Sequence, residues 1–408
     1  MHQTCLLCER RVLDGNLFCQ EQRCPAEHAP QQLGFGDRLG DLTITRVIAT
    51  LRTATLYAAS QQGQQVLLKV AHPGDDHEQR LLREVALLAS LQAQHKVRPG
   101  LPVLLKPYMH AVDPTKKRIA STNVPDLGEQ TRIGDHLDCG RAMLGDRLVR
   151  YALFDDIPGE LLSDVLTKHP QLWLYHIGYI AADLAAAVAY LQLSSVSYLH
   201  GTLSPESCFV YFAGDQGIPQ VTLIDLGMAT PFRMRADDAC YVPHWYTAAV
   251  RPAYTAPELV PTDVYLPAPT APIETTTAPG RPSTDVYGLG LVLYTLLHGN
   301  AAYPTTRSPA ATVYSRVRDG EPVPLHRDDL GAFVAVVEGM IARDPEKRTP
   351  ADVRQVSAEL RKYFGTTPRP RRGWWPTPER VFLVAVLLIG IAFLIAVVFT
   401  IVTVVVPT

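Results

Sequence analysis

Four cysteines fall within the first 24 residues, as Cys5-x2-Cys8 and Cys19-x4-Cys24, on either side of a turn at Asp14-Gly15-Asn16. Two short loops of this kind can place four thiolates around one tetrahedral zinc ion. A segment of about thirty residues buries too little apolar surface to fold alone, so a metal would supply the missing stability. The same cysteines could instead close a small disulfide knot, and the redox compartment decides between the two. Four thiolates leave no open coordination position, so the expected zinc is structural rather than catalytic. The second loop is looser than the usual x2 spacing, and His28 could substitute for one sulfur. Cys139, Cys208 and Cys240 are scattered and carry no such pattern.

The compartment is read from the other end. No charged residue occurs from Val381 to Val406, where only Thr400 and Thr403 carry polar side chains. As a helix this stretch would span about 39 Å, against a hydrocarbon core of about 30 Å. It is apolar all round, whereas a helix packed on a soluble core keeps a polar face. Arg369, Arg371, Arg372 and Arg380 precede it, with Trp374 and Trp375 where interfacial aromatics belong, and only Pro407 and Thr408 follow. The positive-inside rule then leaves residues 1–380 in the cytoplasm of a tail-anchored protein. Met1 to Gly36 holds no apolar run of the signal-peptide kind. A reducing cytoplasm favours zinc over disulfides at Cys5, Cys8, Cys19 and Cys24.

Stepwise inward, the composition is that of a globular chain: 408 residues, 47% hydrophobic and 19% charged, enough for two or three units. A net charge of −2 excludes nucleic-acid binding through a bulk positive field. From Leu39 to Val70 the sequence alternates and is β-branched, which predicts three antiparallel strands with a turn at Gln61-Gln62-Gly63. His77 to Gln92 has apolar residues at helical spacing, residues 113–148 read as an irregular insertion, and Tyr151 to Phe154 as a short strand. Asp183 to Leu193 is an Ala-rich helix. Strands first and helices afterwards predict an α+β fold, with a small β-rich lobe on a larger helical one.

Within that order lie Lys69 in VLLKV, Glu84 in the following helix, Asp225-Leu226-Gly227 in LIDLGMA, Ala256-Pro257-Glu258 and Asp285 in STDVYGLG. FDDIPGELLSDVL and Arg348 in RDPEKRTPADV complete the set. In type, order and spacing these residues resemble the signature set of the protein-kinase superfamily, of the bacterial Ser/Thr-kinase kind. The cysteine pattern is similar to zinc-ribbon modules at the head of bacterial signalling proteins. The resemblance implies a bilobal kinase-like domain over 39–365, with an N-lobe at about 39–153 and a C-lobe at about 159–365. The expected neighbours are a zinc-ribbon-like module at 1–30, a basic linker at 366–380 and a transmembrane helix at 381–406.

The resemblance also implies what is missing. The family's HRDLKPEN loop stands here as His200-Gly201-Thr202-Leu203-Ser204-Pro205-Glu206-Ser207. Thr202 replaces the catalytic Asp, and a hydroxyl with no low pKa neither takes the substrate proton nor carries charge. Ser204 replaces the Lys that steadies the transferring phosphate, and Ser207 the Asn that holds the second magnesium. Gly201 removes the Arg that senses a phosphorylated activation loop, and Arg251 stands in place of a Thr that bonds the catalytic Asp and Lys. His200 reads as a packing residue. The Gly-rich loop should fall in VIATLRTATLYAA, which has Ala49, Leu51 and Ala54 at the glycine positions, so backbone cannot approach phosphates closely. Leu67, with Leu56 and Phe209, is placed to fill the purine slot.

Lys69, Glu84 and Asp225 are retained, and they have two uses: holding ATP with one magnesium, or tying strand, helix and turn together. Glu258 with Arg348, and Asp285, are structural in this family. The expectation is therefore a membrane-tethered pseudokinase that acts on other signalling proteins as a scaffold or allosteric partner. The alternatives are an atypical, weakly active Ser/Thr kinase and an ATP-binding sensor without transfer. The Pro/Thr-rich stretch 261–282 reads as a solvated loop. Gly390 is the lone glycine of the anchor, so no Gly-xxx-Gly motif is present and the sequence is silent on oligomeric state.

Overall fold

In the computed structural model the described residues are 3–4, 11–12, 32–51, 53–72, 75–94, 100–106, 139–144, 147–194, 197–213, 217–232, 240–241, 251–260, 279–304 and 310–364. The chain divides into two compact units, 1–366 and 367–408. The expected linker and membrane helix lie outside the described residues, as do Cys5, Cys8, Cys19, Cys24, His28 and most of the 261–282 loop. Strands β1 (Gln3–Thr4) and β2 (Arg11–Val12), which flank Cys5 and Cys8 in sequence, pair antiparallel.

The main sheet has seven strands and is built by alternation. Strands β3 (Arg38–Leu39), β4 (Leu42–Thr50), β5 (Ala54–Gln61) and β6 (Gln64–Ala71) follow one another as an antiparallel meander. The β5–β6 turn is Gln62-Gly63, both at positive φ (51° and 86°), a type I′ geometry whose twist matches that of the strands. Strands β7 (Leu104–Leu105), β8 (Gly140–Leu144) and β9 (Arg147–Asp155) complete the sheet, with β9 beside β6. Successive side chains point to opposite faces. Tyr57, Val66, Leu68, Val70, Tyr151 and Leu153 close one core with Leu33, Leu39, Leu42 and Ile44. Leu56, Leu67, Ala152 and Phe154 join the larger core on the other face. Both faces are buried from Val66 onward, which is why Val66–Ala71 of β6 reads as an apolar run broken only by Lys69.

Two sequence boundaries are corrected. The expected irregular insertion ends before Gly140, because Gly140–Leu144 (β8) pairs antiparallel with β9. The expected 183–193 helix begins nine residues earlier.

Helix α1 (Asp75–Gln94) packs Leu81, Val85, Leu88 and Leu91 on the larger core. The rest of the unit is mainly helical: α2 (Leu162–Lys168), α3 (Leu174–Leu193), α4 (Pro282–His298), α5 (Ala310–Asp319), α6 (Phe333–Met340) and α7 (Val353–Phe364). Helix α3 is long and apolar enough to cross a membrane, but α4, α7 and a short sheet pack around it and bury Ile180, Leu184, Val188 and Leu191. That short sheet pairs β10 (Glu160–Leu161) with β12 (Cys208–Ala213) and β12 with β13 (Ile218–Leu223), while β11 (Ser197–Leu199) pairs with Thr230–Phe232. It carries the turn after β13 to α1.

Candidate functional site

Lys69 lies midway along β6, in register with Leu56 and Ala152, so its side chain points with Leu67 toward α1. Its Nζ is 2.6 Å from Glu84 Oε2 on α1 and 2.8 Å from Asp225 Oδ1 after β13. The other Glu84 oxygen accepts from the Leu226 N–H at 3.2 Å. Gly227 permits this approach, since a Cβ there would lie 2.9 Å from the Arg80 carbonyl oxygen of α1. Asp225 itself takes a left-handed backbone (φ 62°), a conformation Asp tolerates better than most residues.

The electrostatics follow from burial and pairing. Desolvation alone would depress the Lys69 ammonium, but Asp225 and Glu84 outweigh it and its pKa is raised. Burial raises the Glu84 pKa. Burial also works against the Asp225 charge, yet Lys69 at close range holds its pKa below the ordinary value. One ammonium therefore serves two carboxylates, which keeps the cluster hydrogen-bonded.

The loop 200–207 is held from below by Asp285, near the start of α4. Its carboxylate accepts from the backbone N–H of His200 (3.0 Å) and Gly201 (2.8 Å) and from Gln192 Nε2 (3.0 Å). Burial pushes Asp285 up to about 6, against the pull of those three donors. His200 is fully buried, and burial holds its pKa down to about 4, which fits its reading as a packing residue. Thr202 N and Oγ1 both lie 3.3 Å from His200 Nδ1. Ser207 Oγ donates to the Ser204 carbonyl at 2.7 Å and accepts from the Ser204 N–H at 3.0 Å, so its hydroxyl is consumed in capping a 3-10 turn.

Two relationships here had no sequence signal. Arg251 pairs with Glu206 of the loop, its Nε 2.6 Å from Oε2. His72, just past β6, donates from Nε2 to the Leu51 carbonyl at 3.1 Å, while its own N–H reaches Thr53 O at 2.9 Å. Those two bonds tie the tip of the glycine-free β4–β5 loop to the end of β6. Leu51, Leu56, Leu67 and Phe209 are all buried within the larger core. The recess between Thr53, Lys69, His77, Arg80, Glu84 and Asp225 leaves no room for a body the size of water. Sequence spacing did not single out His72, His77 or Arg80, because their convergence depends on how α1 approaches the sheet.

Farther along, Glu258 and Arg348 form a two-pronged pair at 2.7 and 2.6 Å. Arg348 also donates to the carbonyls of Ala342 (3.0 Å) and Ser283 (2.9 Å), and its guanidinium lies 4.7 Å from the Tyr287 ring centre. No group of three or more His, Cys, Asp or Glu is gathered among the described residues as a metal site would require. Glu84 and Asp225 are the carboxylates at the recess, and both already face Lys69.

No family model matches the chain. It is similar to "Protein kinase kin1" of Schizosaccharomyces pombe, 23% identical over 219 residues that cover 53% of this chain and 21% of that protein. It is also similar to "Serine/threonine-protein kinase PknD" of Chlamydia abortus, 25% identical over 179 residues that cover 44% of this chain and 18% of that protein. The chain thus matches about a fifth of the length of these curated relatives. Together with the mixed α/β fold, these likenesses make it a kinase-like protein.

Proposed function

We propose that the chain is a membrane-tethered pseudokinase, a scaffold or allosteric partner for other signalling proteins, in which phosphotransfer has been lost. The observation that carries this reading is the engagement of each residue at the kinase-like site by a neighbour. Lys69 serves Glu84 and Asp225, Ser207 caps its own turn, and Arg251 is held by Glu206. Thr202 supplies no carboxylate where a substrate hydroxyl would need one. The closed loop tip and the buried Leu56, Leu67 and Phe209 support a purine slot filled by side chains. Zinc at Cys5, Cys8, Cys19 and Cys24 belongs to the same proposal as a structural module, and the helix at 381–406 as its anchor.

One observation favours a second reading: Lys69 still reaches Asp225, the arrangement a nucleotide sensor holding one magnesium would need. Thermal unfolding of the full chain in detergent, with and without ATP and each with and without magnesium, separates the two. No shift supports the scaffold. A shift of several degrees that Lys69→Ala abolishes identifies the sensor, and phosphate transfer lost on Asp225→Ala would sink both.

A further inference from the structure

Helix α7 ends against α3. A Cβ placed on Gly178 would lie 2.4 Å from the Phe364 ring, and Phe364 and Tyr363 lie with ring centres 5.0 and 4.7 Å from that of Phe333. Residues three and four positions apart share a helix face, so Leu174 and Tyr175 lie one turn from this junction, with Trp173 just before them. These residues are open to solvent although apolar: Trp173 is 76% exposed, and Leu174, Tyr175 and Tyr363 are exposed as well. Tyr175 is braced by His176 and Tyr179, at ring-centre distances of 4.2 and 5.8 Å. Lys168 and His169 precede Trp173 in the chain, and Arg361 and Lys362 precede Tyr363; all four are exposed. Lys168 pairs with Glu160, and Lys362 lies 3.8 Å from Glu359.

Exposed Trp and Tyr flanked by Lys and Arg suit the headgroup level of a bilayer, where an apolar ring and a polar tip are both satisfied. The chain beyond Phe364 points to the same occupant. Residues 365–380 carry Arg369, Arg371, Arg372 and Arg380, and lead directly into the uncharged stretch 381–406. Fully extended they reach at most about 58 Å, so a face at their root stays within reach of the surface the stretch enters. We propose that Trp173, Leu174, Tyr175 and Tyr363 form a face that seats on the anionic headgroup surface of the membrane holding the chain. This rests on the membrane-tethered reading above.

The test uses the full chain with Trp245→Phe, Trp374→Phe and Trp375→Phe, leaving Trp173 as the sole indole. It is reconstituted in phosphatidylcholine vesicles with a minority of phosphatidylglycerol, using lipids brominated near the headgroup end of the chain. Trp173 should lose about half of its emission to the bromine, and Arg361→Glu with Lys362→Glu should restore most of it. Full emission from a chain that withstands an alkaline carbonate wash would overturn the seated face while leaving the anchor intact. A chain that the wash strips away would overturn the tethered reading and this face with it. Protection of Trp173 that rises with protein concentration, without quenching, would assign the face to a second copy and overturn the proposal.

Discussion

Lys69 Nζ lies 2.8 Å from Asp225 Oδ1, joining β6 to the turn after β13 across 156 positions of sequence. The same ammonium holds Glu84, so removing it would leave the buried Glu84 and the part-buried Asp225 side by side without the cation that both contact. Breaking a buried pair from one side costs about 3–5 kcal/mol. Lys69→Met should therefore lower the stability of the full chain by that order in urea denaturation. A loss below about 1 kcal/mol, the size expected of an exposed pair, would show that the lysine is not structural.

Glu258 and Arg348 make a second such prediction. Arg348 uses its planar fork on Glu258, reaches three carbonyls besides, and lies over Tyr287. A lysine has one ammonium and cannot reproduce that fork. Arg348→Lys should destabilise nearly as much as Arg348→Ala, by about 3 kcal/mol or more. Chemical denaturation of the two variants side by side checks this, and a mild Lys variant would contradict it.

Acidification should weaken the fold. Burial holds His72 and His200 down to about 4, below the ordinary histidine value. Their stabilising contribution is whole above pH 6.5 and is lost as pH falls toward 4, at about 2 kcal/mol each by pH 5. Asp285 runs the other way: raised to about 6, it favours the fold below its unfolded pKa and less as pH rises through 6. From about pH 7.5 to 5 it returns about 1.4 kcal/mol against about 4 lost by the two histidines, so the net loss from these three groups is about 2.6 kcal/mol. Thermal melts across this range should show it, and His72→Gln should remove about three-quarters of it. An unchanged profile in that variant would remove His72 as the cause.

What was legible in the sequence was carried by pattern. The β-branched alternation gave the three strands of the meander, whereas the pairing of Lys69 with Glu84 and of Glu258 with Arg348 was implied by the resemblance to protein kinases and by no period in the sequence. What was not legible depends on tertiary fit. Gly140–Leu144 has no alternation of its own and is a strand because β9 pairs with it; a Cβ on Gly140 would lie 2.2 Å from the Tyr151 ring. The first turns of α3 hold Tyr, Ile and Gly, poor helix formers, and are kept helical by the packing of Phe364 on Gly178. His72 with Leu51, and Arg251 with Glu206, join residues whose separation follows no period.

The last prediction concerns repair. If Thr202, Ser204 and Ser207 alone had silenced a kinase, the triple change Thr202→Asp, Ser204→Lys, Ser207→Asn would restore the base, the phosphate cation and the metal amide. The closed geometry argues otherwise. His72 ties Leu51 and Thr53 of the glycine-free β4–β5 tip to the end of β6, and Leu67 is buried in the core. On the proposed reading of a filled purine slot, a restored loop would still lack a bound nucleotide to act on. Phosphate transfer from labelled ATP to a general acceptor protein should therefore remain at background in the triple variant. It should rise only when His72→Ala and Leu67→Ala are added to open the slot. Activity from the triple change alone would place the loss in the loop and refute a closed purine site.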